Sequence, residues 1–350
     1  MIKAVRAHFA RPIAAATALC LVVIAGDAAA EDAAAFYREK TVRFFTMGGP
    51  GGGFDIYMRS MIPYLEKRMG AKFMPVNESA AGGLVAMNKT AGAPADGLTI
   101  LLTFGEAAIG GELYAVSGAR YDVRKLAWIA RVGTTPKVVL FGPKTPYKTF
   151  AEAMKAGGPL IWGGTGKTDG NTDFAAILSH NLGMKAKMVI GYKGSRGMLM
   201  AVEQGETSAQ VLSDESGFRA SQRGPIRAVA TLDHQRSKYF PDVPTVFELL
   251  GDRKPKDLWM VDWRAKVSAT GRVLVTTPGT PKDRVAFLRE KVRETLRDPG
   301  FLAEAKKRKL TIDYASGEVG EKLVEETMGK IDKRRIDAIK QTTLKEFYEH

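Results

Sequence analysis

Cysteine is nearly absent from this sequence, and its scarcity limits the chemistry that the chain can perform. The single cysteine is Cys20, and residues 31–350 contain none. That part of the chain can therefore form neither a disulfide nor a thiol nucleophile. Leu19 stands directly before Cys20, where a lipoprotein signal carries a small residue, so lipidation of this cysteine is not expected.

Histidine is also scarce, and its positions do not suit a metal site. It occurs only at positions 8, 180, 234 and 350, without the spacing of zinc ligands. Gly194 directly precedes Ser195, so this segment is not the G-x-S-x-G turn of a hydrolase. We therefore predict no metal, no cofactor and no catalytic residue, and we do not expect an enzyme.

Long apolar runs are missing too, apart from a short one near the N-terminus. Residues 13–25 form a run of about a dozen apolar residues, well short of the roughly 20 that span a bilayer. Lys3, Arg6 and Arg11 precede this run, and small residues ending at Ala30 follow it. This pattern predicts a signal peptide over residues 1–30 that is cleaved after Ala30, and hence a periplasmic protein.

Positive charge is in excess, with 52 lysines and arginines against 38 aspartates and glutamates and a formal net charge of +14. The basic residues are scattered, except for short clusters at 306–309 and 332–335 within charged helical segments. Such clusters are typical of solvated helix faces, so we predict no nucleic-acid partner. In an exported protein, the excess favours attraction of small anions.

The sequence does contain one order of elements twice, in residues 41–132 and again in residues 160–232. Apolar runs alternate with helical segments, and a glycine-rich or polar turn follows each strand. This alternation predicts parallel α/β sheets, and the chain length predicts two lobes. The apolar runs 137–143 and 272–278 are placed to cross between lobes. We assign 31–135 to lobe 1, 136–268 to lobe 2, and 269–350 to a return to lobe 1 with C-terminal helices, which most simply cover that lobe.

Two glycine-rich turns, at 48–54 and 163–171, each lead into a predicted helix. A helix N-terminus offers unpaired N–H groups and partial positive charge, and glycine lets an anion approach them. We expect both turns to face one cleft and to hold a carboxylate between them. The second turn is not a P-loop, because Ile161 stands where the first glycine of that motif is required.

Charged residues near the predicted cleft have more than one interpretation. Asp214 and Glu215 follow the third strand of the second copy, and Glu106 follows the third strand of the first. These positions should face the cleft, where the carboxylates could accept hydrogen bonds from a ligand or simply cap a helix. Lys167 could contact an acidic ligand or be an ordinary exposed lysine.

Seven segments of the chain together resemble the Bug-type proteins, the substrate-binding components of tripartite tricarboxylate transporters. They occur in the order and at the spacings of that family, from about Phe36 to the 310s. The segments are "FFTMGGPGGGFD", "VNESAAGG", "GAPADGLTILL", "IWGGTGKTDG", "GYKGSRGMLMAVEQGE", "FPDVPTVFELLG" and "TTPGTPKDRVAFLREKVRETLRDP". The resemblance implies an α/β, two-lobed type II periplasmic-binding-protein fold, with a hinge of two crossing strands, that closes on a small organic acid.

The resemblance also implies a set of ligand-binding residues. In the family, backbone N–H groups of the two glycine turns hold a ligand carboxylate, and residues after a later strand meet its distal end. Carried over to this sequence, these residues are Gly51, Gly52, Gly53, Phe54, Thr165, Gly166, Lys167, Thr168, Ser213 and Asp214. Further candidates are Asp55, Glu106, Asn171 and Tyr192. Phe54 replaces the small residue usual after the glycines, and Glu106 stands where a small or polar residue is common.

The resemblance implies partners as well. They are a small organic acid and two integral-membrane permease subunits, and we expect the protein to be a monomer. The sequence leaves open whether the acid is a dicarboxylate, a tricarboxylate or an aromatic carboxylate. Two other functions remain alternatives at this point: a sensing protein that presents a bound carboxylate to a signalling partner, and a secreted hydrolase.

Overall fold

Two β-sheets covered by helices form the framework of the computed structural model, which describes residues 33–192, 194–251 and 258–348. The predicted signal peptide at 1–30 lies outside the described residues. Within those ranges, no helix has both the length and the apolar composition that crossing a membrane requires.

The bounds of the elements follow the predicted alternation of strands and helices. The strands are β1 (Thr41–Thr46), β2 (Lys72–Asn77), β3 (Thr99–Phe104), β4 (Ala127–Gly133), β5 (Lys137–Phe141), β6 (Leu160–Gly164), β7 (Ala186–Ile190), β8 (Ala209–Ser213), β9 (Arg227–Thr231), β10 (Arg272–Thr276) and β11 (Ala315–Ser316). The helices are α1 (Gly53–Met69), α2 (Leu84–Ala91), α3 (Gly105–Leu113), α4 (Phe150–Ala156), α5 (Thr172–Asn181), α6 (Gly194–Gln204), α7 (Asp214–Ser221), α8 (Val246–Leu250), α9 (Leu258–Ala269), α10 (Lys282–Leu296), α11 (Pro299–Lys307), α12 (Gly317–Val324) and α13 (Lys333–Gln341). Residues 325–329 and 342–346 form π-helical turns.

Each sheet combines parallel strands with one antiparallel strand in its interior. The first sheet has the order β11-β4-β10-β3-β1-β2, in which β1 runs parallel to β2 and β3, and β10 runs antiparallel to β3 and β4. The second has the order β7-β6-β8-β5-β9, in which β6 is parallel to β7 and β8, and β5 is antiparallel to β8 and β9. The predicted α/β sheets are therefore present, but they are mixed rather than wholly parallel, because β10 and β5 enter them from the other lobe; the assigned lobe boundaries stay predictions.

Strand β1 shows why these apolar runs become buried strands. Successive side chains of a strand point to opposite faces, and the second half of β1 is buried on both. Val42 and Phe44 are fully buried in a cluster with Met58 and Met61 of α1, whereas Phe45 joins a cluster on the other face. Fully burying such a side chain contributes about 1.5–3 kcal/mol, so this strand holds helices on both faces of the sheet.

The chain crosses between the sheets at two adjacent points. Residues 134–136 connect β4 to β5, and residues 270–271 connect α9 to β10. Gly133 pairs with Arg272, which places the two crossings side by side. Gly271 has φ of +65°, and a Cβ there would lie 2.3 Å from the carbonyl oxygen of Gly133, so the second crossing requires glycine. The two predicted crossing strands, β5 and β10, each begin directly after a crossing.

The C-terminal segment covers both lobes, although we expected it to cover the first. α12 packs against β4, and the Trp128 ring lies so close to Gly320 that a Cβ there would be 2.5 Å from it. The chain then reaches the second sheet, where the backbone N–H of Met188 donates to the carbonyl oxygen of Phe347 at 3.1 Å. Met188 lies on β7, an edge strand with unpaired N–H groups, so the chain end satisfies one of them.

Candidate functional site

A cavity of about 560 Å³ lies between the lobes, at the carboxyl ends of their parallel strands. Lobe 1 lines it with residues that follow β1, end β3 and begin α2 and α3, and lobe 2 with the loop before α5 and the end of β8. Thr135 of the first crossing also lines it, as do Lys137 and Arg272, which directly follow the first and the second crossing. Small-molecule sites have volumes of roughly 300–1,000 Å³ and favour this edge of α/β sheets, so the cavity is the candidate site.

The second glycine turn supplies most of the predicted residues that line the cavity. The lining includes Thr165, Gly166, Thr168, Asn171, Ser213 and Glu106. The turn is fixed by Asp169, which accepts hydrogen bonds from the N–H of Asn171 at 3.3 Å and from the hydroxyl of Thr172 at 3.1 Å. Within the described part of the chain, the N–H groups of Gly166 and Thr168 donate to no protein acceptor. These donors are therefore available to a ligand.

The first glycine turn does not line the cavity, although we predicted Gly51, Gly52, Gly53 and Phe54 as ligand contacts. Asp55, another predicted residue, lies against this turn and is only 4% exposed. Its carboxylate accepts hydrogen bonds from the N–H of Gly51 and from Arg59, both at 2.8 Å. Burial raises the pKa of Asp55, but hydrogen bonds from Gly51, Asn77 and Arg59 outweigh this effect. The pKa of Asp55 therefore lies below its ordinary value. A carboxylate of the chain itself thus takes up one N–H group of this turn, that of Gly51, while the N–H groups of Gly53 and Phe54 have no acceptor among the described residues.

Lys167 and Tyr192, also predicted to contact the ligand, are bonded elsewhere and do not line the cavity. The ammonium of Lys167 donates to the carbonyl oxygen of Leu344 at 2.9 Å and lies 4.6 Å from the centre of the Tyr348 ring. The hydroxyl of Tyr192 donates to Glu206 at 2.7 Å. Lys167 therefore connects the second turn to the C-terminal segment.

Asp214 lines a second cavity, of about 390 Å³, that shares Thr135, Ser213 and Arg272 with the first. Its carboxylate accepts a hydrogen bond from the hydroxyl of Ser237 at 2.7 Å. Burial raises the pKa of Asp214, and this hydrogen bond only partly opposes the shift. The carboxylate is thus held by a neighbouring loop of its own lobe.

A buried ionic network lies at one side of the cavity, and Glu106 is its centre. Glu106 accepts hydrogen bonds from Lys137 at 2.7 Å and from Arg264 at 3.0 Å. Arg264 also donates to Asp173 at 2.8 Å, and Asp173 accepts a hydrogen bond from the hydroxyl of Tyr114 at 2.9 Å. The side chain of Arg264 is 1% exposed and that of Glu106 is 9% exposed, so the charges are withdrawn from water.

This network joins the lobes and neutralises its own charges. Glu106 belongs to α3 of lobe 1, Lys137 to β5 and Asp173 to α5 of lobe 2, and Arg264 to α9, which packs against both α3 and α5. Burial raises the pKa of Glu106, but the charges of Lys137 and Arg264 outweigh it and lower that pKa to about 2. Burial lowers the pKa of Arg264, but Asp173 and Glu106 reverse this and hold the pKa above its ordinary value.

Arg272 also lines the cavity, although it was not among the residues predicted from the sequence. It is the first residue of β10, and its guanidinium carbon lies 4.8 Å from the centre of the Tyr57 ring and 5.6 Å from that of Phe104. Within the described ranges, no ion pair or side-chain hydrogen bond involves Arg272. In the sequence, an arginine after Gly271 at the start of an apolar run looks like any scattered basic residue.

The groups around the cavity suit binding rather than group transfer. They are backbone N–H donors, hydroxyls, a neutralised ionic network and a guanidinium without an acidic partner among the described residues. In the same part of the chain, no group of three or more histidine, cysteine, aspartate or glutamate side chains is placed to hold a metal ion. The arrangement can hold an anion between two lobes.

Comparisons with known proteins agree with the two-lobed fold. A family model described as "Tripartite tricarboxylate transporter family receptor" matches residues 58–341. A UPF0065 protein of Bordetella pertussis is 25% identical over 271 residues, which are 76% of this chain and 79% of that protein. A TctC solute-binding protein from Polaromonas superposes with a TM-score of 0.65 and 19% identity, over 84% of this chain and all of its own. MatC from Rhodopseudomonas palustris, solved with bound malate, gives a TM-score of 0.62 and 20% identity over 86% of this chain and 98% of its own.

Proposed function

The chain belongs to the tripartite tricarboxylate transporter receptor family, and on that basis we propose that it captures a small organic carboxylate in the cleft between its lobes and delivers it to a membrane transporter. Closure of the lobes buries the ligand, and the rate of opening sets the rate of delivery. The transporter partners are integral-membrane permease subunits, and the receptor acts as a monomer. It works in the periplasm, after export and cleavage of the signal peptide at Ala30.

One observation carries the proposal: the second glycine turn offers free donors to the cavity. The N–H groups of Gly166 and Thr168 lack acceptors among the described residues, and both residues line the cavity just before the N-terminus of α5. A carboxylate there gains charge-assisted hydrogen bonds and the favourable end of the helix dipole. The malate in MatC supports a carboxylate as the ligand class, since that protein shares the fold.

A binding screen tests the proposal directly. Protein comprising residues 31–350 is heated with mono-, di-, tri- and aromatic carboxylates, with nucleotides as controls. We expect a carboxylate to raise the unfolding temperature with rising concentration, because a ligand that binds only the folded state stabilises it. Isothermal titration calorimetry then measures Kd and stoichiometry for the best ligand. Stabilisation by nucleotides alone, or by none of the compounds, would contradict the proposal.

A further inference from the structure

Arg272 differs from the other cations near the cavity because no described residue forms an ion pair with it, although carboxylates of the second cavity, which it also lines, lie in its neighbourhood. Lys137 and Arg264 both donate to Glu106, and Arg264 donates to Asp173 as well. By contrast, no described residue accepts a hydrogen bond from the guanidinium of Arg272. A guanidinium has five N–H donors, so a half-buried one at the edge of a cavity has strong unused capacity for an anion.

Aromatic rings hold this guanidinium in place without using its donors. Its central carbon lies 4.8, 5.6 and 5.9 Å from the ring centres of Tyr57, Phe104 and Phe54. Phe54 and Phe104 pack edge to face at 4.6 Å, which fixes two of the rings relative to each other. Cations favour the faces of aromatic rings, and stacking leaves the N–H groups at the edge of a guanidinium free for carboxylate oxygens.

The backbone also places Arg272 where the two lobes meet. On β10, Arg272 pairs with Phe104 of β3 on one side and with Gly133 of β4 on the other. The same cavity is lined by Arg272 at the crossing and by Thr165, Gly166 and Thr168 of the second turn. The lining of this one cavity therefore includes anion-binding groups of two kinds, backbone N–H donors and a guanidinium.

We propose that Arg272 binds a second anionic group of the ligand, so that the cleft selects dicarboxylates over monocarboxylates. This inference rests on the proposed function: the first carboxylate occupies the N–H groups of the second turn, and the second forms a bidentate pair with the guanidinium. Two parallel hydrogen bonds to one carboxylate strengthen its binding and also fix its orientation. Arg272 thus sets the charge of the ligand, and the shape of the cavity sets its length.

The test compares ligands that differ by one charge. Succinate, glutarate and adipate are each titrated against their monoamides, with wild-type protein and with Arg272→Gln. We expect the wild type to bind the best dicarboxylate about 10- to 100-fold more tightly than its monoamide, because a hydrogen-bonded charge is lost with the amide. In Arg272→Gln this preference should fall to about twofold, with the affinity for the monoamide unchanged.

Arg284→Gln is the matched control, since Arg284 also stacks on a ring, that of Phe36, but lies outside the cavity. It should keep the wild-type preference. If Arg272→Gln does not fold, Arg272→Lys is measured instead. A lysine keeps the positive charge but lacks the paired N–H donors of a guanidinium, so the preference for the dicarboxylate over its monoamide should drop severalfold.

Three results separate the two proposals. A dicarboxylate preference that Arg272→Gln removes supports the inference. A wild type that binds both members of each pair equally, or a preference that survives substitution of Arg272, overturns the inference while carboxylate binding stands. A wild type that binds no carboxylate overturns the proposed function and the inference with it.

Discussion

The two glycine turns of this protein have similar sequences but different neighbours. Both follow a strand and precede a helix, at 48–53 before α1 and at 163–171 before α5. At the first turn, buried Asp55 accepts the N–H of Gly51, and the N–H groups of Gly53 and Phe54 have no acceptor among the described residues, but the turn does not line the cavity. At the second turn, Asp169 bonds Asn171 and Thr172, and no described residue accepts the N–H groups of Gly166 and Thr168.

This difference shows that glycine makes an anion site possible but does not create one. A helix N-terminus attracts any carboxylate, including one from its own first turn. An acidic residue near the start of the helix therefore competes with a ligand. Whether it does so depends on whether its carboxylate reaches the N–H groups of the turn. Asp55 reaches back to the first turn, whereas Asp173 of α5 turns away to Arg264 and Tyr114. At the second turn, no helical carboxylate takes up the N–H groups of Gly166 and Thr168, and both residues line the cavity.

Removing Arg264 should disturb the second turn most, because this side chain holds both Asp173 and the carbonyl oxygen of Gly170. Arg264→Met leaves Glu106 and Asp173 buried with unbalanced charge, and such a loss costs about 3–5 kcal/mol. Urea unfolding measures the cost. The control is Arg219→Met, whose exposed pair with Glu215 should contribute about 1 kcal/mol or less. A loss from Arg264→Met no larger than that of the control would show that the network does not hold the turn.

The stability of the network should also depend on acid pH. The pKa of Glu106 is lowered from 4.5 to about 2. Its contribution is therefore complete above about pH 4.5 and disappears as the pH falls towards 2, a total of about 3 kcal/mol. Glu106→Gln should unfold more easily than wild type at pH 6, and the difference should shrink at lower pH. Urea midpoints at several pH values measure this, and a difference independent of pH would contradict the assignment.

Two matched alanine substitutions test which turn binds the ligand. A Cβ at Gly53 or at Gly166 would meet no atom within 4 Å, and neither residue has positive φ, so both variants should fold normally. Gly166→Ala should weaken carboxylate binding about tenfold by keeping the ligand from the backbone, whereas Gly53→Ala should change Kd less than about twofold. Calorimetry measures both. A larger effect at Gly53 would instead support the first turn as a ligand contact, which stays a prediction.

The regular elements around the second turn could be predicted because their signals are local. The apolar run at 160–164 and the helical spacing at 172–181 gave β6 and α5 with the bounds that the structure has. Repetition of one plan predicted two sheets, and turns after strands predicted a cavity at their carboxyl ends. The family is one of binding receptors, which agrees with the few catalytic groups in the sequence.

The parts that could not be predicted depend on residues far apart in the chain. Helix α9 was missed because its buried residues surround it on several sides, so "LWMVDWRAKVSA" lacks an apolar face. Arg264 was not singled out in the sequence, because its partners Glu106 and Asp173 lie in other segments. The occupation of the first turn by Asp55 depends on a side-chain direction that spacing does not reveal.

The smallest expected effect is at Lys167, a residue of the second turn that the sequence suggested as a ligand contact. Lys167→Met should change Kd for the carboxylate less than about twofold, because the ammonium is bonded to the carbonyl oxygen of Leu344 and to the Tyr348 ring. Stability should fall by about 1 kcal/mol or less, as for other exposed polar contacts. Lys144→Met is the control, since Lys144 also donates to a backbone carbonyl oxygen, that of Gln204, away from the cavity. A tenfold loss of affinity at Lys167 alone would mean that the ligand draws this lysine from the C-terminal segment as the cleft closes.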